Sequence, residues 1–192
     1  MSTYLRCLPH MTHLERVELR IGNNCQPNDY PFLLTALSSL AHLREVDVYF
    51  AEIVLGNFAK QNWLRSSMPV LPTVRVFHLK YNPDNHQCSD VVKQFHLEHC
   101  FPQLQHFKCH FWKRMKGNVD DLNSSQKSDL FVAELQPWGL EQSQRLLAKL
   151  PTTVHQKEVS FTFQDYLHFS SLEKLKAGKG ERLCLDPDDD DD

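Results

Sequence analysis

The sequence predicts an α/β solenoid of about five repeats of roughly 30 residues, with parallel strands lining the inside of a curve and helices outside. Three observations lead there. One apolar template recurs along the chain, its strands are evenly spaced, and the segments between strands are long enough for a crossover helix.

The template is clearest in residues 37–50, LSSLAHLREVDVYF, where Leu37, Leu40 and Leu43 come at intervals of three and lead into alternating Val46, Val48 and Phe50. Alternation puts those last three on one strand face and Glu45, Asp47 and Tyr49 on the other. Residues 8–21 fit with Leu8, Met11, Leu14, Val17, Leu19 and Ile21. Residues 68–81 fit with Met68, Leu71, Val74, Phe77, Leu79 and Tyr81, and residues 101–111 with Phe101, Leu104, Phe107, Cys109 and Phe111. A fifth copy, 150–163, is looser by two residues in its descent and carries Val154, Val159, Phe161 and Phe163. The first core residue of the strand steps by 29, 31 and 30 from Val17 to Val46, Phe77 and Phe107, then by 52 to Val159.

Helices are expected between the strands. Residues 31–40 follow Asp29 as a cap, have Pro31 near the first turn, and carry an apolar stripe through Phe32, Leu33, Ala36, Leu37 and Leu40. Residues 52–65 and 89–97 show comparable stripes. A crossover helix returns the chain to the same edge, so consecutive strands run parallel. From Trp112 the rhythm breaks. Residues 112–126 are polar and read as a loop, 128–138 as a short helix or a degenerate strand, and 141–150 as a helix. The long step is therefore read as one repeat with an irregular insertion over about residues 112–140. An amphipathic capping helix is expected over about residues 164–177, through Tyr166, Phe169, Leu172 and Leu175. The repeat domain then spans residues 1–177, and 178–192 form a disordered acidic tail.

The composition agrees with a packed domain. The chain has 192 residues, 41% hydrophobic and 23% charged, which argues against wholesale disorder. Net charge is −3, and the tail alone holds six aspartates, so the body is left at +3. That is too slight a basic balance to point to nucleic acid. The six cysteines form no CxxC pair, and the N-terminal twenty residues are broken by charges and histidines, unlike a signal peptide. Nothing approaches the ~18 apolar residues of a membrane span. A cytoplasmic or nuclear protein with reduced thiols and no membrane partner is expected.

Enzyme chemistry finds no support. The sequence contains no G-x-S-x-G elbow, no phosphate-binding glycine loop, and only six glycines. The densest cluster of possible metal ligands is His86, Cys88, His96, His99, Cys100, His106, Cys109 and His110. Zinc would use two short-spaced pairs, such as His96 with His99 and His106 with Cys109. However, Cys109 falls at a core position, and His106 lies an odd number of residues away and points to the opposite face. No metal, cofactor or catalytic residue is assigned.

What remains is the strand face turned away from the core. Aligned repeats place its residues in columns: Glu18, Asp47, His78, Lys108 and Ser160; Arg20, Tyr49, Lys80, His110 and Thr162; Arg16, Glu45, Val76, His106 and Glu158. Parallel neighbours ~4.8 Å apart make these a continuous wall. The wall is mixed in charge at first and becomes basic and imidazole-rich at the third and fourth strands, with Trp112 just beyond. Tyr49, His78, Lys80, His106, Lys108 and His110 are the candidate partner-binding residues of the concave face. An acidic or phosphorylated segment suits them, bound more tightly below about pH 6.5 where histidines charge.

Strand, helix and L-x-x-L spacing near 30 resemble the leucine-rich repeats that follow an F-box in ubiquitin-ligase substrate receptors, and the wider ribonuclease-inhibitor-like group. Leu14/Val17/Leu19, Leu43/Val46/Val48, Val74/Phe77/Leu79 and Leu104/Phe107/Cys109 carry the resemblance, which covers about residues 5–177. It implies a protein-interaction module that recognises a ligase substrate. Two features depart from the family. The asparagine ladder is irregular, and no stretch reads as an F-box, so contact with the Skp–cullin machinery would need a module upstream. The bare start of the first repeat, without a polar cap, likewise suggests a fragment or a partner covering that end. The runner-up is a stand-alone repeat scaffold without a ligase link. From a different class, zinc or nucleic-acid binding would rest on the His/Cys cluster and the basic patch.

Overall fold

The computed structural model describes residues 7, 10–21, 36–50, 70–84, 97–113, 122–163 and 167–182. Five parallel strands follow one another in chain order: β1 (Arg16–Ile21), β2 (Glu45–Phe50), β3 (Val76–Tyr81), β4 (His106–Lys113) and β5 (Gln156–Phe163). Two short antiparallel strands, β6 (Leu167–Phe169) and β7 (Glu181–Arg182), extend the same sheet past β5.

Each parallel strand is preceded by the same turn. The amide of Leu14 donates to Met11 O, Leu43 to Leu40 O, Val74 to Leu71 O, Leu104 to Phe101 O and Val154 to Pro151 O, at 3.0–3.3 Å. Leu37, Leu40, Leu43 and Val46 are all at most 2% exposed, so the three-residue spacing brings a column of leucines down onto the strand. A ladder of carbonyls then fixes the register. Glu15 O accepts from Arg44 and Glu45, Arg44 O from Arg75 and Val76, Arg75 O from Gln105 and His106, and Gln105 O from His155 and Gln156. Val17, Val46, Phe77 and Phe107 consequently lie opposite one another.

The fifth strand corrects the sequence alignment by two residues. Cys109 pairs with Val159, Phe111 with Phe161 and Lys113 with Phe163, so Val159 is not opposite Phe107. The turn at Pro151–Val154 sets this register, and the first three residues of β5 are exposed while Val159, Phe161 and Phe163 fill the core. Aromatic packing dominates here. Phe111 stacks on Phe161 at 5.4 Å between centroids, and Phe163 meets Phe169 edge-on at 5.8 Å.

The connection from β4 to β5 is a helical run, not the expected loop. Trp112 and Lys113 already belong to β4. The run comprises α2 (Ser124–Leu130), a π turn (Phe131–Leu135) and α3 (Gln136–Leu147), following the short α1 (Leu97–Cys100) before β4. Residues 124–126, expected in the loop, start α2, because Asn123 and Gln126 form a reciprocal capping box with both bonds at 2.9 Å. The ambiguous stretch 128–138 is helical. Its π turn sits against Pro137, which has no N–H for Ala133 and whose ring crowds that carbonyl; the Gln136 amide instead reaches back five residues to Phe131 O. Gly139 brings α3 close to the sheet, with room for no more than its hydrogen: a Cβ there would lie 2.7 Å from Leu175 and 3.2 Å from Phe161.

The expected capping helix over 164–177 is also corrected. Its described part is strand β6 followed by the five-residue α4 (Leu172–Lys176), capped by Ser171. The open edge of β5 explains this, since Phe161–Phe163 pair antiparallel with Leu167–Phe169. The expected tail is ordered at its start as well, because Glu181 pairs with His168. The helix expected over 52–65, most of those over 31–40 and 89–97, and residues 183–192 lie outside the described residues. No described helix is long and apolar enough to cross a membrane.

Candidate binding face

Odd-even alternation divides the sheet. Val17, Val46, Val48, Phe77, Leu79, Phe107, Cys109, Phe111 and Phe161 enter the core, and the intervening residues form the opposite face. A cavity of about 540 Å³ opens on that face, and Tyr49, His78, Lys80, Lys108 and His110 all line it. Arg16, Glu18, Arg20, Asp47, Glu158 and Ser160 share the lining. Of the candidate residues, His106 alone is not in the lining. It lies beside His78 with ring centroids 6.3 Å apart and is hydrogen-bonded to Glu158 at 2.8 Å.

The register of β5 changes the character of this wall. Lys108 lies opposite Glu158, not Ser160, His110 lies opposite Ser160, and His106 lies opposite Gln156. Glu158 therefore enters the patch that the sequence columns make basic, with Lys108 Nζ at 3.4 Å. Burial acts to raise the Glu158 pKa, but hydrogen bonds from His106 and Lys108 outweigh it and the net shift is downward. At the other end, Asp47 Oδ2 accepts from Arg16 Nε at 2.9 Å and pairs with Nη2 at 2.7 Å, while Arg20 pairs with Glu18 at 2.7 Å. Arg16, Arg20, Lys80 and Lys108 thus share the face with Glu18, Glu45, Asp47 and Glu158. The described face is charge-balanced, not basic. Lys80 is the cation without a carboxylate partner among the described residues, and its ammonium lies 4.9 Å from the Tyr49 ring centroid.

The imidazoles do not supply positive charge near neutral pH. Burial, with Lys80 and His168 alongside, lowers His110 from its ordinary 6.5 to about 4. Its Nδ1 bonds Ser160 Oγ at 2.8 Å, and its ring stacks on His168 at 5.8 Å. Burial also lowers His78, against the pull of Asp47 and aided by Lys108. Tighter binding below pH 6.5 through these two histidines is therefore not what this face provides.

Sequence columns missed three participants. Asp47, at 9% exposure, is a nearly buried hub joining Arg16 and His78. Its signal was its place in one column with His78. Glu158 was hidden by the two-residue slip, and His168 by the unforeseen antiparallel strand. From the His/Cys cluster, Cys100 and Cys109 are free thiols at 1% and 2% exposure, and burial raises Cys109 well above its ordinary pKa, an inert thiol. His86, Cys88 and His96 lie outside the described residues. No protein-family model, curated protein or solved structure matches this chain.

Proposed function

We propose that the chain is a leucine-rich-repeat-type protein-interaction module that receives an extended partner segment on the open face of its sheet. The carrying observation is the cavity spanning all five parallel strands, lined by a chargeable and aromatic set around Tyr49, Lys80 and Lys108. Five equivalent turns and the continuous carbonyl ladder support the repeat reading. Buried thiols and the neutral, hydrogen-bonded His110 leave the face suited to recognition more than to turnover. Its balanced charge favours a partner of mixed polarity with an acidic group for Lys80, and gives nucleic acid no continuous cationic track. Within this proposal the chain acts as the substrate-recognising part of an F-box-type ubiquitin-ligase receptor, the setting implied by the spacing of its leucines.

Reversing two exposed charges tests the face without touching the core. Lys80→Glu with Lys108→Glu should lower partner capture at least tenfold while leaving the melting temperature within a few degrees. Undiminished capture by that variant would exclude the face. The ligase setting is read separately, from an endogenously tagged protein: Skp–cullin subunits should co-purify in proportion to the bait.

A further inference from the structure

The parallel register assembles a set of side chains that the sequence keeps apart. Asp47 lies opposite His78, and Glu45, two residues before Asp47, faces the same way. One potential ligand atom from each of the three lies within 4.8 Å of the other two. His78 Nδ1 touches Asp47 Oδ1 and is 3.7 Å from Glu45 Oε1.

We propose that Glu45, Asp47 and His78 form a binding site for a divalent transition-metal ion of the zinc or manganese type. The pairing of Asp47 points the same way independently. The residue is 9% exposed, and its two carboxylate oxygens are treated differently. Oδ2 is held by the Arg16 guanidinium at 2.9 and 2.7 Å. Oδ1 is buried, accepts no hydrogen bond among the described residues, and is aimed into the cluster. His78 Nε2 is buried and unbonded too, so the ring is fixed by packing and not by a second hydrogen bond. A buried carboxylate oxygen left without a donor is costly, and a cation is the ligand that answers it.

The donor set selects the ion. One imidazole nitrogen with two carboxylates suits zinc or manganese; magnesium and calcium prefer oxygen ligands throughout. Three protein ligands leave further coordination positions, and these open toward the cavity that Asp47 and His78 line. Arg16 plays the outer part usual around metal carboxylates, orienting Asp47 so that Oδ1 faces inward. Its positive charge also offsets part of the ligand charge, so binding in the micromolar range is expected. The site depends on no assumption about what docks on the face.

Zinc competition against a chromophoric indicator tests it, using the full chain and the variants Glu45→Gln, Asp47→Asn and His78→Gln. One equivalent of zinc should be lost from each variant, with affinity at least tenfold weaker. Millimolar magnesium should not displace it. The chain has eleven histidines and six cysteines, so adventitious zinc is the rival outcome. Equal binding by all four proteins, or a loss confined to His78→Gln, would overturn the proposal. X-ray absorption at the zinc edge of the wild-type protein decides the matter if a variant does not fold. A nitrogen/oxygen shell with a single imidazole is expected, and sulfur or several imidazoles in that shell would refute the site.

Discussion

At the scale of single residues, burial decides which groups on the open face carry charge. His110 is the clearest case, because its folded pKa of about 4 lies well below the ordinary 6.5. As pH falls, the unfolded chain takes up this proton first, so the folded state loses relative stability. The contribution is complete above about pH 6.5 and disappears progressively toward pH 4. Allowing for partial exposure, it amounts to about 2 kcal/mol. His110→Asn removes the titration and keeps an acceptor near Ser160 Oγ. Urea unfolding between pH 4 and 7 should therefore show a shallower decline for the variant than for the wild type. Parallel declines would mean that His110 protonates as readily in the folded protein as in the unfolded chain.

At the scale of elements, local signals and long-range ones fared differently. The L-x-x-L descent was legible because each turn needs its own buried residues at fixed spacing, and Leu40, Leu43 and Val46 meet that need without help from distant parts. The Asn123 capping box was equally local, yet it lay in a polar stretch whose helix buries only part of itself, so composition disguised it. Strand β6 was illegible for a different reason: Leu167–Phe169 are extended because the edge of β5 needs a partner, a demand that three residues do not announce. The end of α4 is set locally again. Gly178 adopts a left-handed φ of 65°, and the amides of Gly178 and Lys179 close a Schellman motif on Leu175 O and Lys174 O at 3.1 and 2.9 Å. Gly178→Ala should cost about 1 kcal/mol, since a Cβ disfavours that φ. Chemical denaturation measures it, and an unchanged midpoint would mean that α4 ends in another way.

At the scale of the whole molecule, the face and the core are consequences of one register. The sequence columns located the first four strands of the face correctly, and they failed at the fifth because spacing alone does not reveal where a loosened descent re-enters the ladder. Glu158 shows how much follows: two residues of slip turn an apparently basic patch into a balanced one. The same logic applies to the C-terminal end, where β6, α4 and β7 close the sheet. Phe169 and Leu175 are at most 1% exposed, Phe169 stacks on Phe131 at 5.1 Å, and Leu175 packs where Gly139 lets α3 approach Phe161. Ending the chain after Phe163 would remove both residues and leave the outer edge of β5 unpaired. Burial of two such side chains contributes roughly 3–6 kcal/mol. In a protein of this size that corresponds to a fall of roughly 10 °C or more in melting temperature. The exposed edge and its phenylalanines should also make the shortened chain aggregate with rising concentration. Calorimetry and light scattering on the two chains distinguish the possibilities. A shortened chain that stays monomeric and melts within a few degrees of the full one would show that the five parallel strands close their core alone.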